Sequence, residues 1–361
     1  MTGFDGLWEF SLEQTIRKNT VKKKRLGAQP AASTVTEVAK RAGVSVSTVS
    51  RILNGTARVS DDKRRSVERA IEDLNFKPNV LAQSLKSGQS MTIGVITQAV
   101  ESPFFNELLK GIEEGLQGSG YASLMASGHW NSQSEIERIR LLIARRVDGI
   151  ILLTGNLNNE QILDLASQTP IVAVGHTAHS DNAASIFIDS RMGGYLATKH
   201  LISLGHRRIA HIQGPQEQHD ASNRLHGYKM ALEEAGIAFD EDLLAQGDFI
   251  EPGGLMAMNR LLDKGVSFSA VFCANDQTAY GARLALYRRG IRVPEDMSLI
   301  GFDDLPMSSY TTPPLTTIRQ PVYEVGQTAA KRLLRLIRGE GAESVNLNVE
   351  LVIRESTRRL G

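Results

Sequence analysis

Apolar residues recur along this chain with two different periods. Between residues 34 and 74 they fall three and four positions apart: Val38, Ala39 and Ala42, then Val49, Ile52 and Leu53, then Val67, Ala70, Ile71 and Leu74. That spacing puts each set on one face of a short helix. Local chemistry marks the ends. Thr34 and Glu37 make a capping-box pair, Gly43 suits the left-handed residue that closes a helix, and Ser45 can cap the next one. A third helix fits after Ser60, where Asp61 and Asp62 favour the positive helix end. From residue 91 short continuous apolar runs alternate with amphipathic stretches. Strands are expected at Thr92–Thr97, Ala122–Ala126, Gly149–Leu153, Ile171–Val174, Ser185–Ile188, Arg208–Gln213, Ala270–Ala274 and Ser298–Gly301. Helices are expected at Phe105–Gly118, Ser134–Arg145, Arg191–Gly205, Asn223–Ala235, Gly254–Lys264, Gln277–Arg289 and Val322–Gly339. Strands of this kind, separated by helices, imply parallel sheet covered on both faces. Periodicity alone does not count the sheets.

Charge divides the chain at the same place. Residues 1–90 hold 16 Lys/Arg against 9 Asp/Glu, and the remainder holds 25 against 31, although the whole chain is only +1. A basic end suits phosphates, whose neutralisation supplies salt-dependent affinity. A surplus of this size is also found on ordinary solvated surface. Cys273 is the only cysteine, so an intrachain disulfide and a cysteine-rich zinc site are excluded. No run approaches the 18 apolar residues of a membrane span, and no apolar signal core opens the chain. A cytoplasmic protein without membrane contact is the expectation.

The first two helices read as a helix-turn-helix, whose second helix enters the major groove at its start. Val46, Ser47, Thr48, Ser50 and Arg51 lie near that start, and hydroxyls and a guanidinium there can contact bases and phosphates. An ordinary three-helix packing unit would show the same periodicity. The set Ala39, Gly43, Val44, Ser45, Thr48, Val49, Ser50, Arg51 and Asn54 decides the matter. With Val59-Ser60, Leu74-Asn75-Phe76, Pro78-Asn79 and Ile93-Gly94-Val95, it resembles the lactose-repressor/galactose-repressor family of bacterial transcriptional regulators. The resemblance covers about residues 34–361 and is nearest to the galactose-repressor branch.

That resemblance implies an N-terminal all-α helix-turn-helix headpiece with a hinge helix. It also implies a C-terminal α/β sensor domain of two subdomains, like the type I periplasmic binding proteins. The headpiece is expected over 34–77, hinge and linker over 78–90, and the sensor over 91–361. The first subdomain would take about 91–189 and 320–345, the second about 190–319 and 346–361, with crossovers near 189–191, 318–321 and 345. The Pro78–Ser87 segment would fold on operator DNA, since so short a helix is unstable alone. Leu85 would wedge into the minor groove with Ala82 beside it, kinking the duplex. Thr34, Ser45, Asn54 and Asn79 join the expected DNA contacts. Residues 1–33 lie outside the family pattern. They are read as a disordered extension or sequence before the true start, with the VKKKR run Val21–Arg25 as a possible basic arm.

Residues at expected strand ends have the chemistry for a polyhydroxylated ligand. Carboxylates, amides and guanidinium bond hydroxyls, and aromatic faces cover the apolar side of a sugar ring. By resemblance Phe104, Phe105, Arg224, Phe249, Asn275 and Asp303 form the pocket. Alternatives stand beside several: Phe105 as core, Arg224 as a structural ion-pair partner, Asp276 and Asp304 as caps. Gln218 and Asp220 occupy positions that vary in the family and can tune specificity. Catalytic and nucleotide-binding signatures such as a Walker loop, His-Glu-x-x-His or Gly-x-Ser-x-Gly are missing from the sequence. The function expected is therefore a non-enzymatic regulator, with no cofactor and no metal. Its partners would be double-stranded operator DNA, a small carbohydrate effector and a second copy of itself. No heptad repeat follows Val349–Ser356, which favours a homodimer over a tetramer. Helix faces at Phe105–Leu116 and Val322–Ile337 are either its interface or intrachain core.

Overall fold

A computed structural model describes residues 33–53, 59–76 and 88–360. The expectations for residues 1–32, for the hinge helix at 78–87, and for Asn54, Asn79, Ala82 and Leu85 lie outside the described residues. Two compact units result, divided at Lys86 and Ser87.

In the first unit, α1 (Val35–Ala42), α2 (Val46–Leu53) and α3 (Asp61–Asp73) enclose a small core of Val38, Ala39, Val49, Val67, Ala70 and Phe76. The capping box is present: Thr34 Oγ1 accepts from the Glu37 amide, and the Glu37 carboxylate accepts from the Thr34 amide at 2.7 Å. Gly43 closes α1 at φ +66°, a region that costs a glycine little. Arg41 in α1 pairs with Asp73 in α3 at 2.9 Å. Both are exposed, so the pair contributes little beyond the packing.

The second unit runs β1 (Thr92–Thr97), α4 (Pro103–Leu116), β2 (Ala122–Ser127), α5 (Ser132–Ala144), β3 (Gly149–Leu153), α6 (Asn159–Ala166), β4 (Ile171–Val174) and β5 (Ala183–Ile188). It continues with α7 (Ser190–Ser203), β6 (Ile209–Gln213), α8 (His219–Glu234), β7 (Leu244–Gln246), α9 (Glu251–Asp263), β8 (Ala270–Cys273), α10 (Asp276–Arg288) and β9 (Ser298–Asp303). After a 3₁₀ turn at Pro306–Ser309 come β10 (Thr316–Arg319), α11 (Val322–Ile337), β11 (Val345–Leu347) and β12 (Glu350–Val352). There are two six-stranded sheets, ordered β11-β5-β4-β3-β1-β2 and β12-β10-β9-β8-β6-β7. Every pairing is parallel except β10 with β12.

Each sheet is covered on both faces, which is why its central strands are mostly apolar. β3 and β9 are buried at every residue. The chain passes between the sheets at Asp189, at Gln320-Pro321 and at Asn348-Val349. The last crossing falls later than 345 because Val345–Leu347 hydrogen-bond along β5 as an edge strand of the first sheet. The faces of α4 and α11 are intrachain core. Leu108 and Ile112 pack with Val325, Ala329 and Leu333 over the first sheet, and so those faces are not free for a partner. Helix α6 and strands β7, β10, β11 and β12 were not anticipated. Each is short, and α6 is announced mainly by its Asn158/Gln161 capping box.

Helices α7 and α8 cross so closely that a Cβ on Gly194 would meet the Arg224 carbonyl oxygen, and one on Gly227 the Arg191 carbonyl oxygen. In an open helix, alanine would gain about 1 kcal/mol over glycine. Here backbone lies in the way, and overpacking costs about 1–3 kcal/mol. Gly194→Ala is therefore expected to destabilise the protein, lowering the urea midpoint at unchanged slope; a raised midpoint would contradict the crossing.

Candidate functional site

Helix α2 presents one exposed end. Ser45 Oγ accepts from the Thr48 amide at 3.2 Å, capping the helix as expected. Its hydroxyl also lies 2.8 Å from those of Ser47 and Thr48. Val49 turns into the core, while Val46, Ser47 and Arg51 are exposed and Thr48 and Ser50 half-buried. Val46 leaves 46% of its surface in water. Thr34 is exposed too, with its hydroxyl engaged in the capping box.

A cavity of about 430 Å³ lies between the two sheets of the second unit. Its wall is made of segments that follow strands. Ser102, Phe104 and Phe105 come after β1, Trp130 after β2, and Thr154 and Asn156 after β3. From the other sheet, Gln218, Asp220 and Arg224 come after β6, Asp248 and Phe249 after β7, and Asn275 and Gln277 after β8; Asp303 ends β9. Ligand clefts of parallel sheets form at such carboxyl ends. All six residues expected at a pocket line this one, with Gln218 and Asp220 beside them.

Arg224 and Asp303 are each about 4% exposed. The helix holding Arg224 begins at His219, four residues earlier than expected, so Arg224 sits in its second turn rather than opening it. Its Nη1 donates to the Ala274 carbonyl at 2.6 Å, and the guanidinium lies 3.8 Å over the Phe302 ring. Its Nη2 stands 3.8 Å from Asp303 Oδ1, and its buried Nε has no hydrogen-bond partner. Asp303 accepts from Gln320 Nε2 at 2.6 Å. Arg224 is thus both ion-pair partner and cavity wall.

Asn275 caps α10, accepting from the Thr278 amide at 2.9 Å, and its Nδ2 donates to the Phe249 carbonyl at 2.9 Å. It thereby holds a loop in which Phe249 takes φ +69°. Asp276 is the first residue of α10, and its carboxylate turns away to accept from the Leu305 amide, Ser308 Oγ and Thr317 Oγ1. Asp304 is held by Arg319 and Arg354, both at 2.7 Å. These two carboxylates are structural. Phe105 is core and wall together, 3% exposed and packed at 5.4 Å against Phe104. Sequence reasoning missed Trp130, Asn156 and Thr154. Their position just after β2 and β3 was the available signal.

Burial raises the Asp303 carboxyl to about 6, with Arg224 and Gln320 opposing the shift. Burial and the nearby Asp303 raise Asp276 to about 7.

Residues 34–79 match the lacI family of bacterial regulatory proteins. Residues 90–355 match periplasmic binding proteins and the sugar binding domain of the LacI family. The chain is 37% identical over 326 residues to the ribose operon repressor of Haemophilus influenzae, covering 90% of this chain and 98% of that one. Among solved structures it is similar to the lac repressor dimer bound to operator and the anti-inducer ONPF. There the identity is 32% and the TM-score 0.81, over 91% of this chain and 99% of that one. It is also similar to the transcriptional regulator CelR in complex with cellobiose, at 34% identity and a TM-score of 0.67, over 90% and 99% of the chains. None of these singles out the galactose-repressor branch.

An aspartate with an ordinary value of 3.8 that titrates near 6 in the fold keeps its proton longer when folded. Between those pH values the folded state binds more protons, so stability is highest below the lower one and falls as pH rises through the upper. Asp303→Asn should flatten the decline of the urea midpoint between pH 4 and 6. An unchanged pH profile would show that folding does not raise the Asp303 carboxyl.

Proposed function

This chain belongs to the LacI family of bacterial regulatory proteins, and from that premise we propose that it represses carbohydrate-utilisation genes and leaves its operator when a small carbohydrate fills the interlobe cavity. The cavity carries the reading. It joins a buried guanidinium and carboxylate to aromatic rings, the pairing a sugar's hydroxyls and apolar faces require. Phe104, Phe105, Arg224, Phe249, Asn275 and Asp303 are assigned to the effector. Helix α2 and its cap, with Ser45, Val46, Ser47, Thr48, Ser50 and Arg51, are assigned to the major groove, and Thr34 to its margin. Asn54, Asn79, Ala82 and Leu85 enter on sequence alone. We divide the chain into headpiece 34–77, hinge 78–90 and sensor 91–361, working in the cytoplasm as a regulator rather than an enzyme.

A homodimer is the working unit, as its relative on operator DNA is a dimer. Exposed apolar side chains favour one surface for it. Tyr280 Oη bonds Ser308 Oγ at 2.7 Å, tying α10 to the turn that displays Met307 and Tyr310. Leu284 lies one helical turn from Tyr280, and Tyr310 is 81% exposed. Tyr310→Asp should convert dimer to monomer in sedimentation without loss of folding; a dimer of unchanged stability would move the interface elsewhere.

The deciding experiment is fluorescence anisotropy on symmetric duplexes with a central CG step, with and without sugars. Binding is expected to weaken about 10–100-fold in Arg51→Ala, the worth of a good base contact. One sugar should release the duplex, and Asp303→Ala should abolish that release while keeping DNA binding. Tightening by the sugar would mark a co-repressor instead. A folded dimer that binds no duplex would overturn the reading.

A further inference from the structure

The chain enters the sensor unit at Ser87 and reaches β1 through Ser90 and Met91. One carboxylate grips that entry. Asp148 Oδ1 accepts from the Ser90 amide at 2.8 Å and the Ser90 hydroxyl at 3.1 Å, and its Oδ2 accepts from the Met91 amide at 2.9 Å. Two backbone bonds close around it. The Asp148 amide donates to the Thr92 carbonyl at 2.8 Å, and the Ala122 amide to the Met91 carbonyl at 3.0 Å. Met91 is held at φ +53°. A non-glycine residue keeps such left-handed backbone only where its surroundings enforce it. Tyr121 gives Asp148 a further side-chain hydrogen bond; burial first, then the Asp148 charge and this bond, raise its phenol to about 12.

The place of these groups matters more than their number. Met91, Tyr121 and Asp148 each stand one residue before a strand, β1, β2 and β3 respectively. Those strands are neighbours in the first sheet, in the order β3-β1-β2, with Thr92 level with Ala122 and Ile93 level with Gly149. Their other ends carry the first-sheet wall of the cavity: Ser102 and Phe104 after β1, Trp130 after β2, Thr154 and Asn156 after β3. Entry clamp and cavity wall are thus opposite ends of one block, separated by the six residues of β1, about 20 Å. A packed interior of low compressibility transmits strain instead of absorbing it.

We propose that Asp148, braced by Tyr121, is a positioning residue that couples effector to operator: it fixes the end of the hinge to the strands of the cavity wall, so that movement of the wall moves the hinge. Without it, each site would still bind its ligand, but release would be lost. The proposal rests on the repressor reading above.

Operator anisotropy and calorimetry of the full chain with glucose, ribose and cellobiose test it. In the parent, one of these sugars should weaken operator binding about 5–150-fold, the span of ordinary couplings, and should itself bind the operator complex more weakly by the same factor. In Asp148→Ala that factor should shrink to about two or less, while sugar affinity of the free protein and operator affinity without sugar stay within about three-fold of the parent. Asp148→Asn, which keeps one acceptor oxygen, should restore part of the factor. Tyr121→Phe, the milder change, should lower it at least about three-fold, and it decides the matter where Asp148→Ala does not fold. A parental factor in a folded variant overturns the clamp. So does a loss of sugar affinity that matches the loss of release, since Asp148 would then shape the cavity. A parent that holds operator DNA and answers none of the three sugars overturns the carbohydrate reading, and the clamp with it.

Discussion

A positive charge buried at the cavity wall constrains the sensor more than any other feature. A guanidinium removed from water is tolerated only with partners, and Arg224 finds them on several elements. They are the Ala274 carbonyl after β8, the Phe302 ring and Asp303 carboxylate in β9, and the Phe249 ring 5.3 Å away. Strands β6, β8 and β9 must stay in parallel register for these groups to converge. The contact between α7 and α8 must stay close for Arg224 to reach them. The ion pair itself is loose at 3.8 Å, and Arg224 Nε lacks a partner. Polar groups held in place but incompletely satisfied are suited to accept and donate to a polyol, because their ordering cost is met by the fold.

The same carboxylate connects the cavity to the connection between lobes. Asp303 bonds Gln320, which stands at the second crossing, and α11 begins two residues later and packs on the first sheet. A ligand that alters the hydrogen bonding of Asp303 therefore acts on a segment where the lobes join. Its effect on lobe geometry is limited to the difference in its affinity for the two arrangements, about 1–3 kcal/mol in typical couplings. The three crossings are short, which lets a lobe rotation concentrate in a few backbone torsions.

Much of the architecture was legible because local rules and tertiary packing agree. The Thr34/Glu37 box, the Gly43 turn and the Val49 core position follow from side-chain chemistry within one helix turn. The apolar runs at Gly149–Leu153 and Ser298–Gly301 read as central parallel strands because both faces are covered. Edge strands were harder. Val345–Leu347 and Glu350–Val352 span three residues each and carry little periodicity, so only their hydrogen bonds to β5 and β10 reveal them. That is also why the last crossing was misplaced.

The site divides along similar lines. Residue type and a place at or after a strand offered Arg224, Asn275 and Asp303 among other candidates, and family resemblance selected them from their neighbours. Trp130 also follows a strand, but a tryptophan between His129 and Asn131 can face water, core or ligand. Its direction depends on Gln98 and Asn156, residues 32 and 26 positions away that bond its amide and carbonyl. Asp276 and Asp303 show the same limit: both are aspartates at strand ends, but one carboxylate faces a buried turn and the other the cavity. The sequence by itself determined the helix caps, the strand–helix alternation and the chemistry available at the strand ends, because these depend on neighbours within a few residues. Tertiary structure alone decided which polar groups meet, because that depends on distant segments that must satisfy one another's hydrogen bonds once water is excluded.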